Sequence, residues 1–134
     1  MVNNKLIFVN GCFDILHTGH LDLLEYAASL GNYLIVAVDS DERIKNSKGA
    51  NRPINTCLDR VRMLSALSCV DSVLYFNSDK ELRNIVIACH PDIMVKGADY
   101  KNKSIIGAEF CGEIKFVELN GQSTSQKIQS LSTR

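Results

Sequence analysis

Short apolar runs alternate with helix-period stripes along almost the whole chain, and this alternation restricts the fold more than any other feature. Lys5 to Asn10 is an apolar run that stops at Gly11, and Tyr33 to Val38 is a second, rich in branched residues. Asp71 to Phe76, Ile93 to Val95 and Ile114 to Leu119 read as three more. Apolar runs of strand length, bounded by turn residues, are buried strands. Between them, Gly19 to Leu30 carries Leu21, Leu24 and Ala28 on one helical face and Asp22, Glu25 and Ser29 on the other, with Gly31 as its stop. Leu58, Val61, Leu64 and Leu67 form a second stripe behind the N-cap candidates Asn55 and Thr56. Lys80 to Cys89 reads as a helix that must end before Pro91, and Ser123 to Leu131 as a short closing helix. Asp39 to Asn55 is polar, contains Gly49 and Pro53, and reads as a loop or broken helix.

Strands separated by helices predict an α/β, Rossmann-like fold: a five-stranded parallel sheet with right-handed crossovers and helices on both faces. Without repeats or a linker, residues 1–134 read as a single domain. In such sheets ligands bind at the carboxyl ends of the strands, where the strand order reverses. The residues just after Val9, Val38, Val95 and Leu119 are therefore where chemistry is to be sought.

Composition narrows the function classes. Fifteen basic residues balance fifteen acidic ones, so the chain lacks the global positive field of a nucleic-acid binder. Its apolar runs are too short to span a bilayer, and the N-terminus lacks the pattern of a signal peptide. A cytoplasmic protein is the expectation. The five cysteines, at 12, 57, 69, 89 and 111, contain no Cys-x-x-Cys pair, which argues against a disulfide framework or thiolate zinc site. They read as small buried hydrophobes, with Cys12 set apart by its neighbours.

Those neighbours are Asn10-Gly11-Cys12-Phe13-Asp14-Ile15-Leu16-His17-Thr18-Gly19-His20. Two histidines three apart stand at the start of the first predicted helix, whose free amides and dipole favour an anion. Imidazole donors beside them suit a polyphosphate, and Gly19 lets a ligand approach the backbone. The same spacing also suits plain polar residues at a helix start, whereas a metal reading lacks a third ligand. Lys45, Lys48, Arg52, Arg60 and Arg62 follow around Gly49 to Pro53 and read either as a triphosphate-neutralising loop or as a solvated one. Lys96-Gly97-Ala98-Asp99 ends a strand; there Asp99 suits a ribose and Lys96 a phosphate, or the segment is a turn. Ser123, Thr124 and Ser125 precede the last helix, where Ser123 and Gln126 also fit a capping box.

Taken together, Gly11-Cys12-Phe13-Asp14, His17-Thr18-Gly19-His20 and Ser123-Thr124-Ser125 resemble the cytidylyltransferase-like nucleotidyltransferase superfamily. Lys48-Gly49-x-x-Arg52-Pro53-x-Asn55, Val95-Lys96-Gly97-Ala98-Asp99-Tyr100 and Gly121-x-Ser123-Thr124 are similar to the adenylyltransferase domain of bacterial ADP-heptose synthesis. The resemblance implies a nucleotidyltransferase fold. It also implies transfer of AMP from ATP, with Mg²⁺, to D-glycero-β-D-manno-heptose 1-phosphate, giving ADP-heptose and pyrophosphate.

By the same resemblance, His17 and His20 hold the triphosphate and stabilise the pentacoordinate phosphorus, and Lys48 and Arg60 bind phosphates. Gly11, Cys12, Phe13 and Asp14 border the nucleotide and acceptor sites, with Gly19 beside them. Lys96, Gly97 and Asp99, with Ser123, Thr124 and Ser125, embrace the nucleotide. The resemblance calls for no protein-held metal and no nucleophile, and suggests a homodimer. Related CTP-dependent glycerol-3-phosphate cytidylyltransferases carry an arginine where this chain has Glu118. That chemistry is the alternative, and a non-catalytic nucleotide-binding module is a third reading.

Overall fold

The computed structural model describes residues 4–118. Five strands form one sheet: β1 (Leu6–Gly11), β2 (Tyr33–Asp39), β3 (Ser72–Phe76), β4 (Ile93–Gly97) and β5 (Glu113–Val117). All are parallel and lie in the order β3-β2-β1-β4-β5. The helices are α1 (Thr18–Ser29), α2 (Asp41–Lys48), α3 (Cys57–Ser65) and α4 (Asp79–Cys89), and a 3-10 turn, Ala98–Tyr100, follows β4. This is the Rossmann-like α/β fold expected from the alternation. The closing helix expected over Ser123 to Leu131 lies outside the described residues. No helix among the described residues is long and apolar enough to cross a membrane.

The period of two along each strand divides the core between two faces. Ile7, Val9, Leu34, Val36, Val38, Ile93 and Val95 pack with Leu23, Leu24 and Ala27 of α1 and Leu64 of α3. Phe8, Ile35, Ala37 and Met94, the residues between them, pack with Phe76 and with Leu82 and Val86 of α4. Each fully buried Val, Leu, Ile, Phe or Met among them contributes about 1.5–3 kcal/mol by leaving water.

Two expectations are corrected. The segment after Asp39 contains a regular helix, α2, with only Ile44 buried. Ser40 caps it, Asp41 and Glu42 occupy its first turn, Lys45 and Lys48 its last, and Gly49 ends it at φ 105°. Caps and dipole complementarity hold this helix where an apolar stripe would not. On α3 the stripe is rotated, since Arg60 and Leu64 are its buried residues while Leu58 is 83% exposed. The five cysteines are free and half-buried.

The sheet order reverses between β1 and β4. There the ladder joins only Ile7 to Ile93 and Phe8 to Met94, although the strands continue to Gly11 and Gly97. The two strands therefore part toward their carboxyl ends and leave a crevice, the position at which open α/β sheets bind ligands.

Candidate active site

A cavity of about 620 Å³ opens above that crevice. Gly11, Cys12 and Phe13 from the β1 turn, His17, Gly19 and His20 from α1, Asp39 and Arg43 from the β2 end, and Lys48 from α2 line it. Lys96, Asp99 and Tyr100 close it from the β4 side. Gly97 lines an adjoining recess of about 200 Å³.

The two histidines form the start of α1. His17 is the N-cap, and its Nδ1 accepts from the Gly19 amide at 3.1 Å. His20 reaches back, its Nδ1 accepting from the His17 amide at 3.2 Å. Imidazoles thus close a capping box normally made by Ser or Thr with Glu or Gln. A ring whose Nδ1 accepts a hydrogen bond carries its neutral-state proton on Nε2. The box therefore sets both tautomers, with the neutral-state proton of each ring on Nε2. The rings lie 3.9 Å apart, centroid to centroid, and His20 also packs 5.3 Å from the Phe13 ring. Burial above all, then the electrostatic influence of His17 and Lys48, lowers the His20 pKa to about 4. At neutral pH His20 is an uncharged donor.

The β1 turn is shaped by the Phe13 backbone, at φ 50°. Its ring lies so close over Gly11 that a Cβ there would sit 3.1 Å from it. Beside the turn, the Cys12 thiol donates to Asp39 Oδ2 at 3.3 Å. Burial, then the Asp39 charge, pushes its pKa up to about 11, so Cys12 is a protonated donor and an unreactive thiol. Arg43 Nε holds the other Asp39 oxygen at 3.0 Å.

Across the crevice, Lys96 Nζ donates to Asn10 Oδ1 at 2.8 Å and lies 4.9 Å from the Tyr100 ring centre. Burial lowers the pKa of this ammonium, against the opposing pull of Asp39 and Asp99. The cavity thus combines the Lys48 and Lys96 ammonium groups, the Nε2–H donors and the start of α1. That set suits a ligand with several phosphate oxygens.

Two residues assigned to ligands on sequence take other roles. The Asp14 carboxylate is buried away from the cavity and accepts from Arg52 Nε at 2.9 Å and from the amides of Ile54 at 2.9 Å and Asn55 at 2.8 Å. The Asn55 side chain donates back to the Asp14 carbonyl at 2.7 Å. Asp14 ties the β1 turn to the segment before α3. Arg60 is 1% exposed, and its donors go to the carbonyls of Asn55, Cys12 and Asp39 and to Asp41 Oδ1. It does not line the cavity, because the chain itself supplies the acceptors a phosphate would have offered.

Of the basic cluster, only Lys48 lines the cavity. Ser123, Thr124 and Ser125 lie outside the described residues. Asp39, Arg43 and Tyr100 were not singled out as ligands from sequence, although Asp39 directly follows Val38, one of the strand ends marked for search. No group of three or more His, Cys, Asp or Glu side chains suited to a metal ion occurs among the described residues.

Known proteins resemble this chain in sequence and in fold. The family described as Cytidylyltransferase-like matches residues 8–133. "Bifunctional protein HldE" of Helicobacter hepaticus is 46% identical over 129 residues, 96% of this chain and 27% of that protein. The protein of the same name from Helicobacter pylori strain Shi470 is 48% identical over 128 residues, 95% of this chain and 27% of its own. The chain thus spans about a quarter of the length of these relatives. Among solved structures, the lipopolysaccharide core biosynthesis protein from Thermoplasma volcanium GSS1 is 27% identical with a TM-score of 0.69, covering 89% of this chain and 98% of that one. Pantothenate synthetase from Thermus thermophilus, at 14% identity and TM-score 0.66 over 93% of this chain and 61% of its own, shares the fold.

Proposed function

The chain belongs to the cytidylyltransferase-like family, and from that premise we propose that it transfers AMP from ATP to a sugar 1-phosphate, releasing pyrophosphate. The acceptor in this reading is D-glycero-β-D-manno-heptose 1-phosphate, in keeping with the HldE relatives and the Lys96-to-Tyr100 segment. The observation that carries the reading is the reciprocal histidine capping box, which fixes both imidazoles at a helix start within one anion-suited cavity.

In this mechanism a phosphate oxygen of the acceptor attacks the α-phosphorus, and the bond to pyrophosphate breaks. His17 and His20 donate to the oxygens on which charge builds as phosphorus becomes pentacoordinate. Such donors cost no reorganisation because the capping box already orients them. Lys48 and Lys96 balance triphosphate charge, while Gly11 and Gly19 let the ligand approach the backbone. Position and charge account for the catalysis, with no residue acting as nucleophile.

Magnesium arrives as part of the nucleotide substrate. It is ordinarily held by substrate phosphates with one or two carboxylates. Asp39 and Asp99 are the carboxylates that line the cavity and would be the ones to meet it, and the ion supplies further charge neutralisation. Assembly as a homodimer is part of the same reading.

The test is pyrophosphate release with ATP, CTP, GTP and UTP, each against the heptose 1-phosphate and glycerol 3-phosphate, with Mg²⁺ present. ATP with the heptose 1-phosphate is expected to give the highest kcat/KM. A preference for CTP and glycerol 3-phosphate would replace the substrate assignment, and nucleotide binding without any turnover would overturn the enzymatic reading.

A further inference from the structure

β1 and β2 are ladder-paired up to Gly11 and Val38. One step beyond, β1 must depart for the left-handed turn at Phe13. At that step Arg60 Nη1 donates to both strands, to the Cys12 carbonyl at 2.9 Å and to the Asp39 carbonyl at 2.6 Å. The guanidinium serves as one more rung of the sheet, made from a side chain. Its Nε donates to the Asn55 carbonyl at 3.0 Å and its Nη2 to Asp41 Oδ1 at 2.8 Å. Four of the five N–H donors of an arginine are thereby engaged.

We infer that Arg60 is a positioning residue for the transfer reaction. It holds the ends of β1 and β2 at one separation, and with them the Cys12 backbone and the Asp39 carboxylate in the cavity wall. The inference rests on the nucleotidyl-transfer reading above. Asn55 extends the hold, because the same residue that gives Arg60 its carbonyl also donates to the Asp14 carbonyl at 2.7 Å. The turn carrying the cavity floor is therefore pinned at both Cys12 and Asp14. Displacements of about 1 Å in such a frame are enough to cost on the order of 10²-fold in rate.

A phosphate ligand and a positioning residue separate in the kinetics. Losing the first weakens nucleotide binding, whereas losing the second slows turnover. Arg60→Lys keeps the charge but has one nitrogen and cannot serve four acceptors. It is expected to lower kcat about 10- to 100-fold, with KM for ATP within about threefold of wild type. Amide hydrogen exchange at residues 12–16 should accelerate while the melting curve still shows a folded protein. Asp41→Ala leaves the guanidinium in place and removes one tether, and should produce a smaller change in the same direction.

A raised KM for ATP at unchanged kcat would make Arg60 a phosphate ligand and overturn the inference. Unchanged kcat per folded molecule, even with a lower Tm, would reduce it to a stabilising residue and overturn the inference too. If Arg60→Lys does not fold, Asp41→Ala decides, and unchanged kcat and exchange in that variant refute the hold. Unchanged exchange in Arg60→Lys sinks the positioning role whatever the wild-type activity. Wild-type inactivity with every nucleotide and acceptor sinks the transfer reading itself.

Discussion

Asp14→Ala removes the acceptor on which three donors converge. Asp14 is 1% exposed, and its partners are the Arg52 guanidinium and the amides of Ile54 and Asn55. Breaking a buried pair by removing one partner costs about 3–5 kcal/mol, and each orphaned buried donor about 1–3 kcal/mol. These costs overlap, since water entering the vacated space re-solvates Arg52, whose side chain is already 11% exposed, and the nearby amides. A working value is about 3–5 kcal/mol. An unfolding entropy of about 2.1 cal/mol/K per residue gives the 134-residue chain ~0.28 kcal/mol/K. The expected fall in Tm is therefore roughly 11–18 °C, read by calorimetry at pH 7.

Asp14→Ala should also flatten the acid limb of stability. Burial pushes the Asp14 carboxyl up, but the hydrogen bonds from Asn55, Ile54 and Arg52 together bring it below its ordinary value of 3.8. A carboxyl depressed on folding adds stability that is present above 3.8 and is lost as pH falls through the lower folded value. The variant lacks that contribution, so the gap between the two proteins should narrow below pH 4. A variant melting within about 3 °C of wild type, with the same acid limb, would refute the energetic argument.

Two further changes probe the cavity itself. His17→Asn keeps a side-chain oxygen for the cap but cannot present an Nε2–H. It should therefore retain its fold and lose kcat by roughly 10²–10³, in single-turnover pyrophosphate release. Because the His20 pKa lies near 4, its NMR titration should show no step near 6.5, and kcat should have no acidic limb from this ring between about pH 5.5 and 8. Lys48→Met should raise KM for ATP by about tenfold or more, the loss of a charge-assisted contact, whereas Lys5→Met, at the other end of β1, should not. Equal values for the two would return Lys48 to the solvated loop.

How much of this was legible in the sequence depended on where the determining contact lay. The strands announced themselves because both faces of the sheet are covered, so Leu34 to Val38 had to be continuously apolar. The histidine pair was legible because its geometry is local, three residues at a helix start. Helix α2 was not, since Ser40, two acids, two lysines and Gly49 make it without an apolar stripe. The basic cluster failed for a different reason. Lys48, Arg52 and Arg60 are neighbours in sequence, but their availability is set by carboxylates brought in by the fold. Asp14 lies 38 residues from Arg52, and Asp41 lies 19 from Arg60. A charge run therefore marks a binding surface only after its internal partners are subtracted. Here the subtraction removes Arg52 and Arg60, while Lys48 is the member of the cluster that lines the cavity, which is why the same segment supplies part of the cavity wall and much of the frame beneath it.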